Sequence, residues 1–273
     1  AGTGGGILLR SPDVKGNELQ LDAVGGSYGL GRILLRGQVG TDRVQANASL
    51  ALHQSDGYRQ QTQLDRKTAN ADVKFLTAKG ALSATLLYSD LNYGTPGGLT
   101  LAEFKADPSQ ARPPTGSLGA VEARAAVTNK TVFGGLSYDH DWNSEWTTTT
   151  GAYIGSSKFE NPTIRNYERR EELNFGARTT TEFLFYDNGN TRHKLAFGGE
   201  YQRFDSPIDV FDNDGQGNPG AVQVRDELTS DLGLFFAQAN LGFGGNIFVT
   251  AGASLNFLQY GFVRLEPAPV VEQ

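Results

Sequence analysis

An antiparallel all-β chain, laid out as part of a transmembrane β-barrel, is the fold class this sequence predicts, on three observations. Apolar and polar residues alternate with a period of two along most of the 273 residues. The polar half of that alternation is mostly Asn, Gln, Ser, Thr and Gly, with only occasional charges. The connections between alternating segments are short and long in turn. Successive strand side chains point to opposite faces, so the first observation gives a sheet with one apolar side. A soluble sandwich also alternates, but it turns a Lys- and Glu-rich face to water and has no reason to alternate its loop lengths. A barrel with a wet lumen and its long loops on one side of a membrane has both traits.

The expected strands follow in order. Segments 18–26 and 30–40 form a hairpin with a tight tip at Ser27, Tyr28 and Gly29. In 43–54, Val44, Ala46, Ala48, Leu50 and Leu52 share one face; Gln45, Asn47, Ser49 and His53 share the other. In 67–77, Ala69, Ala71, Val73 and Phe75 oppose Asn70, Asp72 and Lys74. Strands follow at 81–92, 131–141 and 146–158. Segment 171–186 carries Leu173, Phe175, Ala177, Phe183 and Phe185 against Asn174, Arg178, Thr180 and Glu182. After 192–204, the segment 231–243 sets Phe235, Ala237, Ala239, Leu241 and Phe243 against Gln238, Asn240 and Gly242. The last, 247–264, begins with Ile247, Val249, Ala251, Ala253, Leu255 and Phe257 on one face. Short turns are expected at 40–42, 78–80, 143–145, 187–190 and 244–246, and long outer connections at 55–66, 93–130, 160–169 and 205–230.

Composition narrows the class further. Hydrophobic residues are 38% and charged residues 20%, both low for a compact soluble domain, and 35 glycines fit many turns. No stretch of about 18 apolar residues is present, which excludes helical spans. The net charge of -6, without a basic run, argues against nucleic acid as a partner. With no Cys, disulfide frameworks, thiolate metal sites and thiol nucleophiles are out. Eleven strands is an odd number, whereas single-chain bacterial barrels have an even one. With no Met and a glycine-rich opening, this leads us to expect a piece of a longer protein.

Several short motifs carry a family resemblance. The opening Ala1-Gly2-Thr3-Gly4-Gly5-Gly6-Ile7-Leu8-Leu9 resembles the end of the plug domain of TonB-dependent outer-membrane receptors, and Ser11-Pro12-Asp13-Val14-Lys15-Gly16-Asn17 resembles the linker into their barrel. Gly25-Gly26-Ser27-Tyr28-Gly29 is similar to the tip of the family's first barrel hairpin, and His53-Gln54-Ser55-Asp56-Gly57-Tyr58-Arg59 to the end of its third strand. Asn92-Tyr93-Gly94-Thr95-Pro96-Gly97-Gly98-Leu99-Thr100, with Ala111-Arg112-Pro113 beyond, resembles the third extracellular loop of its iron-complex receptors. The resemblance implies a plug end and linker over 1–16 and the N-terminal half of a barrel over 17–273, about 11 of 22 strands. It implies uptake of a ferric siderophore or similar scarce ligand across the bacterial outer membrane. The inner-membrane TonB complex, reached through a region absent from this sequence, would drive that uptake. Outer-membrane lipid and lipopolysaccharide are the implied surroundings, with no covalent chemistry and no cofactor.

Candidate site residues lie in the outer connections. Anionic chelates suit Arg, whose planar fork pairs with carboxylate or catecholate oxygens. Tyr58, Arg59, Tyr93, Arg112, Arg165, Tyr167, Arg169 and Arg170 are therefore the expected ligand contacts, with a solvated loop or a lipopolysaccharide contact as the competing reading of 167–170. Thr100-Leu101-Ala102-Glu103 reads as a capping box opening a short helix to about Ser109. His53, His140 and His193 lie near different strand ends without metal spacing and read as lumen or interface side chains. Gly26 to Gly31 lacks the dinucleotide spacing and reads as a hairpin tip. Tyr88, Tyr138, Trp142, Trp146, Tyr186 and Tyr201 read as interfacial girdles. The alternative from another class is a passive porin-like or adhesin-like barrel. An outer-membrane hydrolase lacks a visible nucleophile and His pair.

Overall fold

The computed structural model describes residue 14, residues 16–267 and residues 270–272. Within them lies one antiparallel sheet of twelve strands in unbroken sequence order. The first six are β1 Asn17–Gly25, β2 Gly31–Gly40, β3 Val44–Ser55, β4 Leu64–Thr77, β5 Gly80–Gly94 and β6 Ala126–Asp141. The rest are β7 Trp146–Pro162, β8 Asn166–Asp187, β9 Arg192–Asn213, β10 Pro219–Phe243, β11 Ile247–Glu266 and β12 Val270–Glu272. A single short helix, α1, occupies Leu101–Ala106. All eleven expected strands are present; β12 is an addition, pairing by its backbone with β11 at Phe262 to Arg264. The expected plug end and linker over 1–16 lie, apart from Val14 and Gly16, outside the described residues.

The registers align the two faces across the whole sheet. Ala48, Ala71, Leu86, Gly134, Ile154 and Phe175 are partners in one row, strand after strand. This face carries the exposed apolar residues: Leu50, Leu86, Val132, Leu136, Ile154, Phe235 and Leu255 among them. Over about ten residues from the inner end of each strand it holds no Asp, Glu, Lys or Arg among the described residues. Ten tilted residues are what a transmembrane strand needs. The opposite face pairs polar groups across strands. Gln38 donates to Glu18, Thr85 to Asp72, Thr149 to Asp139, Lys194 to Glu182 and Thr250 to Asn240, at 2.7–3.1 Å. Apolar outside and cross-linked polar inside is the pattern of a wall between lipid and a wet lumen.

Aromatic rings mark the inner end of the apolar face. Trp146 stacks on Phe183 at 4.2 Å and meets Phe197 edge-on, and His193 lies among Phe185, Tyr186 and Phe243. Phe185 is the extra residue of a bulge between Leu184 and Tyr186, which shifts the β8–β9 register there. Two pairs of threonines interrupt the apolar surface, and each pair satisfies itself: Thr148 with Thr181 and Thr150 with Thr179, both 3.0 Å between hydroxyls. In lipid an unpaired hydroxyl finds no water, so cross-strand pairing is what makes these residues tolerable.

The inner ends of the strands fall where expected, as do the β1–β2 tip and, within three residues, the outer ends of β3 to β5; the outer ends of β7 to β10 do not. The expected long connections 160–169 and 205–230 are instead tall hairpins, turning at 163–165 and 214–218. β8 and β9 each run 22 residues and β10 runs 25, against 9 for β1. Above the lipid both faces are wet, so the outward face becomes charged and the period of two disappears while the ladder continues. Glu160, Arg169, Asp209, Arg225 and Glu266 are partners in one row there, alternating in sign, with Arg169 3.5 Å from Glu160 and Arg225 3.6 Å from Asp209 and 3.1 Å from Glu266. Pro207 also disguises the strand. It has no N–H to give, and the β8–β9 pairing skips the positions opposite it.

The orientation is testable in the full-length protein refolded into vesicles. Leu136→Arg, outward near the middle of the band, should cost about 2–4 kcal/mol in a urea titration. Ser137→Arg, one residue on and facing the lumen, should cost far less. Equal costs would show that the face assignment is wrong.

Candidate functional site

The outer ends of the strands bear two real loops, 56–63 and 95–125, and three tight tips. At the β1–β2 tip, Tyr28 and Gly29 both take positive φ, 58° and 64°, and Leu30 N–H closes the turn on Ser27 O. Two positive-φ central residues are the signature of the turn that matches strand twist. Tyr28 is held there by neighbours: its carbonyl accepts from Asp56 N–H and Ser55 Oγ, and its ring meets Tyr58 edge-on at 5.7 Å.

Loop 95–125 is a strap across the outer rim. Its base closes where Thr95 N–H donates to Ala125 O. Thr100 then caps α1: Glu103 N–H donates to its Oγ1, and the Glu103 carboxylate accepts from Thr100 N–H at 2.7 Å. These hydrogen bonds, backbone first, hold the Glu103 carboxyl below the usual glutamate range. The helix stops at Ala106, three residues before the expected Ser109. Asp107 precedes Pro108, which drives it to φ -154° and ψ 104°, and its carboxylate accepts from Ser109 N–H and Oγ instead.

Three side chains fasten the strap, and Gln60 N–H adds a 2.8 Å bond to Ser109 O. On the β3–β4 side, Arg59 donates from Nε and Nη2 to Gln110 O and from Nη2 to Gly97 O at 2.9 Å. Gln61 Nε2 donates to Ala125 O at 3.0 Å. On the far side, Asn213 Nδ2 donates both to Ala123 O and to Thr163 O, at 2.9 and 2.8 Å, tying the strap to the β7–β8 tip and to β9. Between these lie Ala111, Ala120, Ala123 and Ala125, all buried, with Leu118 and Ile164 against them. Small side chains let the backbones approach closely there. Arg112 runs past Gly97, where a Cβ would sit 2.9 Å from its own.

The structure distributes the eight candidate residues rather than gathering them. Arg59 and Arg112 flank Gly97, and Tyr58 stands exposed beside Tyr28. Tyr93 lies half-buried at the top of β5, on the lumen side. Arg165 is exposed at the β7–β8 tip. Tyr167 is only 6% exposed; burial, then Glu160, raises its phenol above the usual tyrosine range. Arg169 is in the alternating ion row and lies 6.0 and 5.9 Å over the rings of Tyr167 and Phe211. Arg170 faces the lumen, paired with Glu168 and 5.3 Å over Phe159. Sequence reasoning missed Asn213, Gln110 and Tyr28, which act through side-chain and carbonyl hydrogen bonds and a ring contact with no motif to announce them. It also missed the lumenal Arg178, 3.4 Å from Glu200 and 5.0 Å over Phe236.

No protein-family model matches the chain, and no curated protein matches it by sequence. Solved structures do. The ferric citrate transporter FecA, unliganded, matches 90% of this chain with 37% of its own, at a TM-score of 0.75 and 14% identity. The ferric-catecholate import receptor Fiu from E. coli K12, in its open form, matches 97% with 50% of its own, at 0.74 and 14%. At lower likeness, the RagAB peptide transporter matches 86% with 33%, at 0.62 and 10%. The chain thus has the fold of the barrel wall of outer-membrane receptors for iron complexes and spans half or less of their length.

Two measurements check the strap in the full-length protein. Thr100→Ala should lower the local stability of α1 by about 1 kcal/mol, read as amide exchange over 101–106. The Glu103 carboxyl is depressed in the folded state, so its support is complete above the ordinary glutamate pKa and lost as pH falls through the depressed value. That pH dependence should shrink in Thr100→Ala, which loses the hydroxyl donor but keeps the backbone N–H, and vanish in Glu103→Gln. Asn213→Ala leaves two carbonyls without their donor, at about 1–3 kcal/mol, and should expose 95–125 to protease; unchanged cleavage would count against the fastening.

Proposed function

We propose that this chain is the start of the barrel of an energy-coupled outer-membrane receptor that imports a ferric siderophore or a similar scarce chelate. Residues 1–16 would be the plug end and linker, and 17–273 the first half of the wall. The observation that carries the reading is the likeness of the whole wall to iron-complex receptors, together with an outer mouth fitted with arginines and tyrosines. Arg165, Arg112 and Tyr58 are the contacts that the mouth leaves most accessible to an anionic chelate. Arg59, Tyr167 and Arg169 are engaged in holding the mouth, so their effect on uptake would pass through its shape. The inner-membrane TonB complex is the proposed source of energy. The likeness to a peptide transporter supports a broader cargo range as the second reading, in which the same wall admits a non-iron ligand.

The test is uptake of labelled ferric siderophores, and of peptides in a parallel arm, by iron-starved cells making the full-length protein. Import should saturate and should stop when the inner-membrane proton gradient is collapsed. Import that survives collapse would point to a passive pore. Arg112→Ala with Arg165→Ala should raise the half-saturating concentration about a hundredfold or more, given about 1.5–3 kcal/mol for each hydrogen-bonded charge. Unchanged half-saturation would remove both residues from the contact set.

A further inference from the structure

The cations of the lumen face divide into two groups. On β8 to β11 each of four meets a carboxylate: Arg170 with Glu168, Arg178 with Glu200 at 3.4 Å, Lys194 with Glu182 at 2.8 Å and Arg264 with Asp226 at 2.8 Å. On β2 and β4 the arrangement differs. Arg32, Arg36 and Arg66 are exposed to the lumen, and their side chains have no hydrogen-bond or ion-pair partner among the described residues. The two nearest carboxylates are occupied by amides instead: Gln38 donates to Glu18 at 3.1 Å and Gln20 to Asp22 at 3.3 Å.

The register brings these arginines together. Val24, Arg32, His53, Arg66 and Leu91 are consecutive partners in one lumenal row, which contains no acid. Arg32 and Arg66 therefore stand two strand spacings apart, about 10 Å, with the His53 ring between them. The row lies directly beneath the outer mouth, since Arg32 follows the β1–β2 tip and Arg66 follows the loop that carries Tyr58 and Arg59. Arg36 lies four residues further down β2, about 14 Å along the strand. Around it is a lumenal cavity of about 350 Å³ lined by Gln20, Gln38, Asn47, Ser49 and Asn70. Cations that face one space without counter-charge focus a positive potential there and concentrate anions.

We propose that Arg32, Arg36 and Arg66 form an anion-binding station on the lumen wall, below the mouth, for a cargo that carries several separated carboxylates. Each guanidinium offers a planar fork to one carboxylate, so a polycarboxylate engages two or three forks at once, whereas a monocarboxylate engages one. His53 contributes a ring N–H between them. This rests on the import reading above and narrows its cargo to a polyanionic class.

The test is isothermal titration of the full-length protein in detergent, with Arg112→Ala and Arg165→Ala in place so that the accessible mouth contacts are removed. Citrate, with three carboxylates, should bind, and acetate, with one, should bind at least about tenfold more weakly. The citrate affinity should fall as salt is raised. Adding Arg32→Gln, Arg36→Gln and Arg66→Gln should weaken citrate binding about a hundredfold or more. Lysine at the same three positions should recover part of it, because the charge returns without the fork. No citrate binding before the Gln changes, equal binding after them, or acetate bound as tightly as citrate overturns the assignment. So does a Gln variant that melts lower without citrate yet binds it unchanged, which would give the arginines to carboxylates elsewhere in the full-length protein. Where the Gln variant does not assemble, salt-insensitive citrate binding by its parent overturns it. Citrate binding that meets every expectation, in a protein whose cells import no ferric chelate, would leave the station standing and overturn the import reading instead.

Discussion

In hydrocarbon a backbone N–H or C=O has no water to turn to, and each one left unpaired costs several kcal/mol. That constraint organises this chain. It forces neighbouring strands into continuous ladders, and the ladders fix which residues share a row. Once the rows are fixed, alternate side chains have no choice of environment. The lipid side becomes Ala, Leu, Val and Phe, and two pairs of threonine hydroxyls there bond to each other. The lumen side becomes a mesh of acids, amides and hydroxyls joined from strand to strand.

Beyond the lipid the constraint relaxes, and the chain builds differently. Water can satisfy a backbone group there, so a loop such as 95–125 becomes possible and Pro207 can sit inside a strand. Stability has to come from side chains instead. The alternating row from Glu160 to Glu266 holds the tall hairpins in register, and isolated surface ion pairs are weak enough that a five-member row is the more effective arrangement. The strap adds buried alanines, and three side chains from its neighbours, Arg59, Gln61 and Asn213, bond to its carbonyl oxygens.

The same contrast explains what the sequence reveals. Inside the membrane two unlike solvents flank the sheet, so Val44 to Leu52 or Ile247 to Phe257 declare strand and face together. The inner ends of the strands were accordingly legible, as was the Thr100 cap, whose chemistry is local. The outer halves of β9 and β10 were not. Asp205, Pro207, Asp209 and the glycines around Asp214 read as loop because water lies on both sides of that hairpin. The mouth was legible only as a set of residue types. Which arginine is engaged and which is accessible depends on partners such as Glu160, Glu168 and Gln110, all placed by the ladder and the strap.

The gradient in strand length gives the rim a slope. β1 and β2 end near the lipid surface, whereas β8 to β10 rise far above it. Along the stretch of rim that these strands form, a low sill at the β1–β2 tip climbs to a palisade at β8 to β10. Tyr28 and Tyr58 stand exposed at the low end of that slope, so its aromatic surface is concentrated where the wall is shortest.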